Sequence, residues 1–292
     1  MYDVIVIGAG VAGMSASIYL KRANLNVLLI EKEIPGGQIN KTDRIENYPG
    51  FKMIDGFTLS TSIFEQVKDL NIEYKNEKVL EIKDGFEVIT NKDTYKTKNV
   101  VIATGRVPRA LGLDHEEEYI NKGISYCALC DGAFYKNKDV AVVGGADSAA
   151  TTALYLSNLC NKVYLIFRKE DLTAQLYLKE EVNKKENIVK LNNSIVNKIN
   201  GVDNIESINV NDKEIKIDGL FINVGSIPDT TNFKDLLELD NGYIVVDDKM
   251  RTSKKGIYAC GDVIKKDVYQ ITTSISEGVI AANSIINDRG NI

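Results

Sequence analysis

Short, nearly unbroken apolar runs recur along the chain: Asp3-Val4-Ile5-Val6-Ile7, Val27-Leu28-Leu29-Ile30, Val100-Val101-Ile102-Ala103, Val140-Ala141-Val142-Val143, Val163-Tyr164-Leu165-Ile166 and Leu220-Phe221-Ile222-Asn223-Val224-Gly225. Runs of this length, rich in β-branched residues, predict strands buried on both faces, as in a parallel sheet. Helical spacing occupies 14–23, 57–70, a stretch ending near 159, and 271–287, where Ile275, Val279, Ile280, Ile285 and Ile286 form the apolar stripe. Residues 79–98 alternate apolar and polar, which predicts an antiparallel meander with its turn at Asp84-Gly85. After the turn Asp240-Asn241-Gly242, a strand is expected at Tyr243-Ile244-Val245-Val246, and another running into Gly261-Asp262. Strands alternating with helices predict an α/β fold.

Two of these strands end in glycine turns. The first is followed by Gly8-Ala9-Gly10-Val11-Ala12-Gly13, a helix, and a second strand closing on Glu31. Strand, G-x-G-x-x-G, helix, strand and acid, with the acid about twenty residues on, is a dinucleotide-binding pattern. Gly8 permits the tight turn, Gly10 admits a pyrophosphate to the backbone, and Gly13 lets helix and strand pack closely. The helix N-terminus offers unpaired N–H groups to phosphate, and Glu31 is suited to a ribose. The pattern does not separate FAD from NAD. A second copy lies about 136 residues later, with Gly144, Gly145, Ala146, Asp147, Ser148 and Ala149 as its turn. There a Cβ stands where the middle glycine would meet phosphate. The following run, Phe167-Arg168-Lys169-Glu170-Asp171-Leu172-Thr173, mixes acids with the cations that an NADP 2′-phosphate needs. Both an altered working site and a decayed one fit this run.

Composition narrows the function. The 292 residues suffice for two domains, 44% are hydrophobic, and the net charge of −5 gives no sign of nucleic-acid binding. No run approaches a membrane span, and the first residues lack a basic n-region. A cytoplasmic protein is expected. The lone histidine, His115, sits in the acidic run 114–118, which reads as a solvated surface and carries no catalytic role.

Four cysteines do not make a secreted disulfide framework. Cys127-Ala128-Leu129-Cys130-Asp131 lies between the two glycine turns. A C-x-x-C alone fits a redox disulfide, half a zinc site or two buried thiols. Zinc needs further ligands, and only Cys160, Cys260 and one histidine remain, each isolated. An acid beside a C-x-x-C, flanked by two dinucleotide folds, favours electron transfer into a disulfide. At Asp262 a sugar-binding acid and a turn acid are both open readings.

In this order, Gly8-x-Gly10-x-x-Gly13, Gly36-Gly37-Gln38, Glu46-Asn47-Tyr48-Pro49-Gly50, Ala103-Thr104-Gly105, Cys127-x-x-Cys130-Asp131, and Cys260-Gly261-Asp262-Val263 with Tyr269-Gln270-Ile271 resemble the low-molecular-weight thioredoxin reductases over nearly the whole chain. The resemblance implies two Rossmann-like domains of the FAD/NAD(P)-binding disulfide reductase fold, the second inserted in the first. An FAD domain would comprise 1–109 and 240–292, and 110–239 would carry the redox disulfide. FAD contacts are implied at Gly8, Gly10, Ala12, Gly13, Glu31, Lys32, Gly37, Gln38, Asn47, Val79, Thr104, Gly105, Asp262, Gln270 and Ile271. Cys127, Cys130 and Asp131 are implied as catalytic, with Cys130 facing the flavin, thioredoxin as acceptor, a homodimer as the assembly, and a rotation of the smaller domain.

The departures point to the donor. Members that use NADPH carry a second G-x-G-x-x-A and an H-R-R-x-x-x-R run. The corresponding residues here are Gly144, Ala146 and Ala149, then Phe167, Arg168, Lys169 and Thr173. Losing one charged hydrogen-bond partner costs roughly 1.5–3 kcal/mol, about ten- to a hundredfold in affinity. The chain in this respect resembles the ferredoxin-dependent flavin thioredoxin reductases. A ferredoxin near about −400 mV can drive a thioredoxin near about −270 mV with roughly 6 kcal/mol to spare for two electrons. The alternative donor is NADPH or NADH at an altered site; two further readings are a flavin protein that regulates without turnover, and the same chemistry with another acceptor such as a peroxiredoxin partner.

Overall fold

A computed structural model describes residues 1–42 and 44–289. The chain divides into two compact units, Met1–Val107 with Pro228–Ile292, and Pro108–Ile227. The return crossing therefore falls at Ile227/Pro228 and not at 240. Residues 229–239 belong to the first unit for a packing reason. Phe233 and Leu237 are buried in its core, Asn232 Nδ2 donates to the Val79 carbonyl at 2.8 Å, and Asp229 pairs with Lys32 at 2.6 Å. The turn at Asp240-Asn241-Gly242 joins the short strands Leu239–Asp240 and Tyr243–Ile244, inside the unit.

The first unit is built on a seven-stranded sheet. Its order is Glu73–Asn76, Val27–Glu31, Tyr2–Ile7, Thr94–Ile102, Glu87–Thr90, Val79–Lys83, with Ile257–Ala259 also paired to Thr94–Ile102. Thr94–Ile102 unites two elements that the sequence separates. Its first residues pair antiparallel with Glu87–Thr90 and are mostly exposed. Its last residues lie parallel to Tyr2–Ile7 and are fully buried. One strand thus changes from an alternating to an unbroken apolar pattern as it passes under the core. The helices Val11–Arg22 and Ile271–Arg289 pack against each other beside this sheet. They approach so closely that a Cβ on Gly278 would collide with the Ala12 carbonyl oxygen.

The second unit has a five-stranded parallel sheet, ordered Ile188–Leu191, Lys162–Ile166, Asp139–Val143, Gly219–Ile222, Ile124–Ser125. Helix Asp147–Ser157 follows its glycine turn. Two features lie beyond the sequence reading. Helix Leu176–Asn183 is short and has charged residues at Lys179, Glu180 and Glu181, so its stripe is weak. The antiparallel strands Val196–Gly201, Ile205–Val210 and Lys213–Lys216 carry many exposed polar positions; their buried residues join a core with Ile166 and Leu220. The strands expected at 220–225 and 243–246 are shorter, ending at Ile222 and Ile244. Among the described residues, no helix is long and apolar enough to cross a membrane.

Phe221 is fully buried on the central part of the second sheet and meets Tyr135 edge-on, with ring centroids 5.3 Å apart. Phe221→Ala is expected to destabilise this unit by roughly 3–5 kcal/mol. Urea unfolding followed by tyrosine fluorescence and circular dichroism checks this as an earlier transition.

Candidate active site

Cys127 and Cys130 form a disulfide, with Cα atoms 5.3 Å apart. They sit just past strand Ile124–Ser125, at the carboxyl end of the parallel sheet, where open α/β sheets place ligands. Cys127 caps the short helix Ala128–Asp131, its Sγ accepting the Cys130 N–H at 3.2 Å. Cys130 is exposed and Cys127 half-buried. Asp131 is fixed by Ser125, whose hydroxyl donates to Asp131 Oδ2 at 2.6 Å and accepts the Cys127 N–H at 3.0 Å. Ser125 is buried, so this link is shielded from water. Four residues past Cys130 in the chain, Phe134 is 75% exposed.

The sequence reading did not find Ser125 or Phe134. Ser125 acts across six residues without a periodic signal, and an exposed phenylalanine is indistinguishable from a core one by type. Cys160 and Cys260 are buried and free. Burial pushes the Cys160 thiol up to about 11 and raises Cys260 further, so neither is a ready thiolate. His115 is exposed and contacts Glu118 at 2.8 Å, on the surface as expected.

All residues expected to hold a flavin lie in the first unit. Glu31 closes onto the glycine turn, Oε2 accepting the Ala9 N–H at 2.7 Å and Oε1 the Glu33 N–H at 2.9 Å. Gly8, Glu31, Lys32, Val79 and Thr104 line one cavity of about 250 Å³. Gly13 packs against the Gly8 carbonyl and Ala103, and a Cβ on Gly37 would lie 3.5 Å from the Gly10 Cα. Gln38 Nε2 donates to the Arg106 carbonyl at 2.8 Å, next to Gly105. Asn47 Nδ2 donates to Gln270 Oε1 at 3.1 Å, drawing the loop after Glu46 toward the start of the helix at Ile271. Gly261 abuts the Ala12 side chain, which brings Asp262 beside the first turn.

The set fits a bound dinucleotide on two counts. A Cβ built on Gly10 meets nothing within 4 Å, so the space before the helix N-terminus is open. Asp262 uses Oδ1 for Ser274 and Lys266, while Oδ2 has no partner among the described residues.

The second glycine turn differs in kind. Ala146 stands at the N-cap of helix Asp147–Ser157, the place that Gly10 takes in the first unit. Phe167 is buried, and a Cβ on Gly145 would sit 3.2 Å from its Cβ. Thr173 donates both its N–H and its hydroxyl to the Gly145 carbonyl, at 2.7 and 3.1 Å. Gln175 grips both Asp147 oxygens, N–H to Oδ1 and Nε2 to Oδ2, each at 2.8 Å. The segment after Phe167 is thereby tied across the turn. A cavity of about 540 Å³ remains, with Arg168 and Lys169 among its lining residues.

The pyridine nucleotide-disulphide oxidoreductase family matches residues 2–278. A thioredoxin reductase of Bacillus subtilis is 40% identical across 98% of this chain and 94% of its own length. The thioredoxin reductase structure from Lactococcus lactis covers 100% of both chains at 39% identity with a TM-score of 0.91. A ferredoxin-flavin thioredoxin reductase from Clostridium acetobutylicum is 30% identical over 100% of this chain and 99% of its own, with a TM-score of 0.56.

Two outcomes follow from the geometry. After mild reduction, iodoacetamide at neutral pH should label Cys127 and Cys130 while Cys160 and Cys260 react only in denaturant; peptide mass spectrometry reads the sites. Gly10→Val should fold normally, because open space receives the side chain, yet hold FAD roughly ten- to a hundredfold more weakly through lost backbone contacts to phosphate. Flavin content and apoprotein titration check that outcome.

Proposed function

The chain belongs to the pyridine nucleotide-disulphide oxidoreductases, among homologues of the low-molecular-weight thioredoxin reductases, and on that footing we propose that it is an FAD-dependent enzyme that reduces thioredoxin. The observation that carries this reading is the Cys127–Cys130 disulfide at the end of a parallel sheet, with Asp131 held by Ser125 and an exposed Phe134 four residues on. Residues Gly8, Gly10, Ala12, Gly13, Glu31, Lys32, Gly37, Gln38, Asn47, Val79, Thr104, Gly105, Asp262, Gln270 and Ile271 would hold FAD, which supplies the electron pair. Opening the disulfide takes two electrons and leaves two thiols. One thiolate attacks thioredoxin's disulfide, breaking that S–S bond and forming a mixed disulfide. The other thiolate then attacks the mixed disulfide, releases dithiol thioredoxin and re-forms Cys127–Cys130. Asp131 is the acid placed to give and take the protons. Phe134 offers an apolar contact for the docking partner.

Reduced ferredoxin is the donor this reading favours. The second turn supports it through Ala146 at the N-cap, Phe167 in the core, and Thr173 tied to Gly145. NADPH or NADH is the second reading, favoured by the 40% identity to the Bacillus subtilis enzyme and by Arg168 and Lys169 in the remaining cavity. A homodimer in the cytoplasm completes the proposal.

Anaerobic absorbance near 450 nm, with each donor mixed separately, distinguishes the readings. Bleaching by enzymatically reduced ferredoxin alone, reversed by oxidised thioredoxin, is expected. Rapid bleaching by NADPH at micromolar levels would move the donor to the second reading, and a bleached flavin that no disulfide protein reoxidises would sink the reductase itself. Asp131→Asn should lower thioredoxin turnover by roughly a hundredfold or more at unchanged FAD content.

A further inference from the structure

Three charged side chains meet behind the Gly261-Asp262 turn. Lys266 Nζ lies 3.1 Å from Asp262 Oδ1 and 2.9 Å from Glu277 Oε2. Ser274 ties the same group together, its hydroxyl donating to Asp262 Oδ1 at 2.9 Å and standing 3.2 Å from Lys266 Nζ. Glu277 Oε2 also accepts the Gly261 N–H at 2.9 Å. The Lys266 and Glu277 side chains are only 10% and 12% exposed, while Asp262 is 30% exposed. Solvent therefore screens the inner pair little. Glu277 and Ser274 come from the last helix, and Gly278 next to Glu277 is the residue pressed on Ala12. The cluster is anchored to the helix that starts at the first glycine turn.

The arrangement has one cation between two carboxylates. Burial raises the Glu277 carboxyl above its ordinary value, and Lys266 and the Gly261 N–H oppose that rise. Without the lysine, Asp262 and Glu277 would be like charges in a poorly hydrated place. With it, Asp262 is held by Oδ1 and keeps Oδ2 unpartnered among the described residues.

We propose that Lys266 and Glu277 are a positioning pair that fixes Asp262 and sets the charge beside the flavin, and so governs both FAD affinity and the flavin reduction potential. The inference rests on FAD being held at this turn. Two-electron reduction adds negative charge to a flavin, so nearby charges act on the potential with opposite signs. Removing the negative charge of Glu277 makes reduction easier. Removing the positive charge of Lys266 makes it harder and also leaves the Asp262 side chain held by Ser274 alone.

The test uses the intact flavoprotein with Glu277→Gln, Lys266→Met and Lys266→Arg. Against a reference dye, Glu277→Gln should raise the reduced-to-oxidised ratio by roughly tenfold and Lys266→Met lower it by roughly tenfold, shifts of about 30 mV for a two-electron couple. Titration of each apoprotein with FAD should show roughly tenfold or more weakening for Lys266→Met, and near-normal binding for Lys266→Arg. A merely structural role would weaken binding in all variants without opposite shifts in potential. Potentials of Glu277→Gln and Lys266→Met that move in the same direction, or not at all, with FAD retained, would overturn the pair and leave the flavin site standing. Should Lys266→Met lose FAD outright, Glu277→Gln still reads the potential, with the charge-conserving Lys266→Arg as its unshifted reference; no upward shift for Glu277→Gln overturns the pair. A wild-type protein that takes up no FAD would remove the flavin site and the proposal together.

Discussion

Close approach between the first and last helices is the constraint on which the first unit depends. Gly278 lies against the Ala12 carbonyl and Gly261 against the Ala12 side chain. These contacts bring residues some 250 positions apart in the chain to the start of one helix. The glycine turn, the Asp262 turn and the beginning of the last helix form one surface only because no Cβ intervenes. The ion pair behind Asp262 and the Asn47–Gln270 bond are then local consequences of a packing decision.

The same strand–turn–helix device recurs in the second unit with its turn bonded differently. Its helix begins at Ala146, its turn carbonyl is satisfied by Thr173, and the first acid of its helix is held by Gln175. The Gly145 carbonyl and the Asp147 carboxylate are thus bonded within the chain. What this unit offers to chemistry lies at the edge strand, where Ser125 links Cys127 to Asp131. A disulfide with Cys130 exposed and a fixed acid next to it in the chain suits exchange with another protein more than structural bracing. Cys160 and Cys260 are free thiols sealed in cores.

Much of this was legible from residue order alone. The parallel strands announce themselves as unbroken apolar runs, since burial on both faces leaves no place for a polar side chain. The glycine turns, Glu31 and the C-x-x-C are local patterns whose spacing is itself the chemistry. Elements with mixed exposure read poorly. The strands in 196–216 have one face on a core and many polar residues outside, and Thr94–Ile102 changes its environment halfway along. The boundary set at 240 followed a strong turn signal, whereas Phe233 and Leu237 place the crossing earlier by where they are buried.

The sequence by itself therefore determined the α/β class, the two nucleotide-type turns and the C-x-x-C pair that closes a disulfide, because each is written in neighbouring residues. Only the tertiary structure decided which side chains hold those groups in place. Ser125 under Asp131, Thr173 and Gln175 across the second turn, and Lys266 with Glu277 behind Asp262 are contacts without a periodic signature. Hydrogen bonds and ion pairs of this kind depend on where the chain returns in space, and spacing along the chain does not encode that.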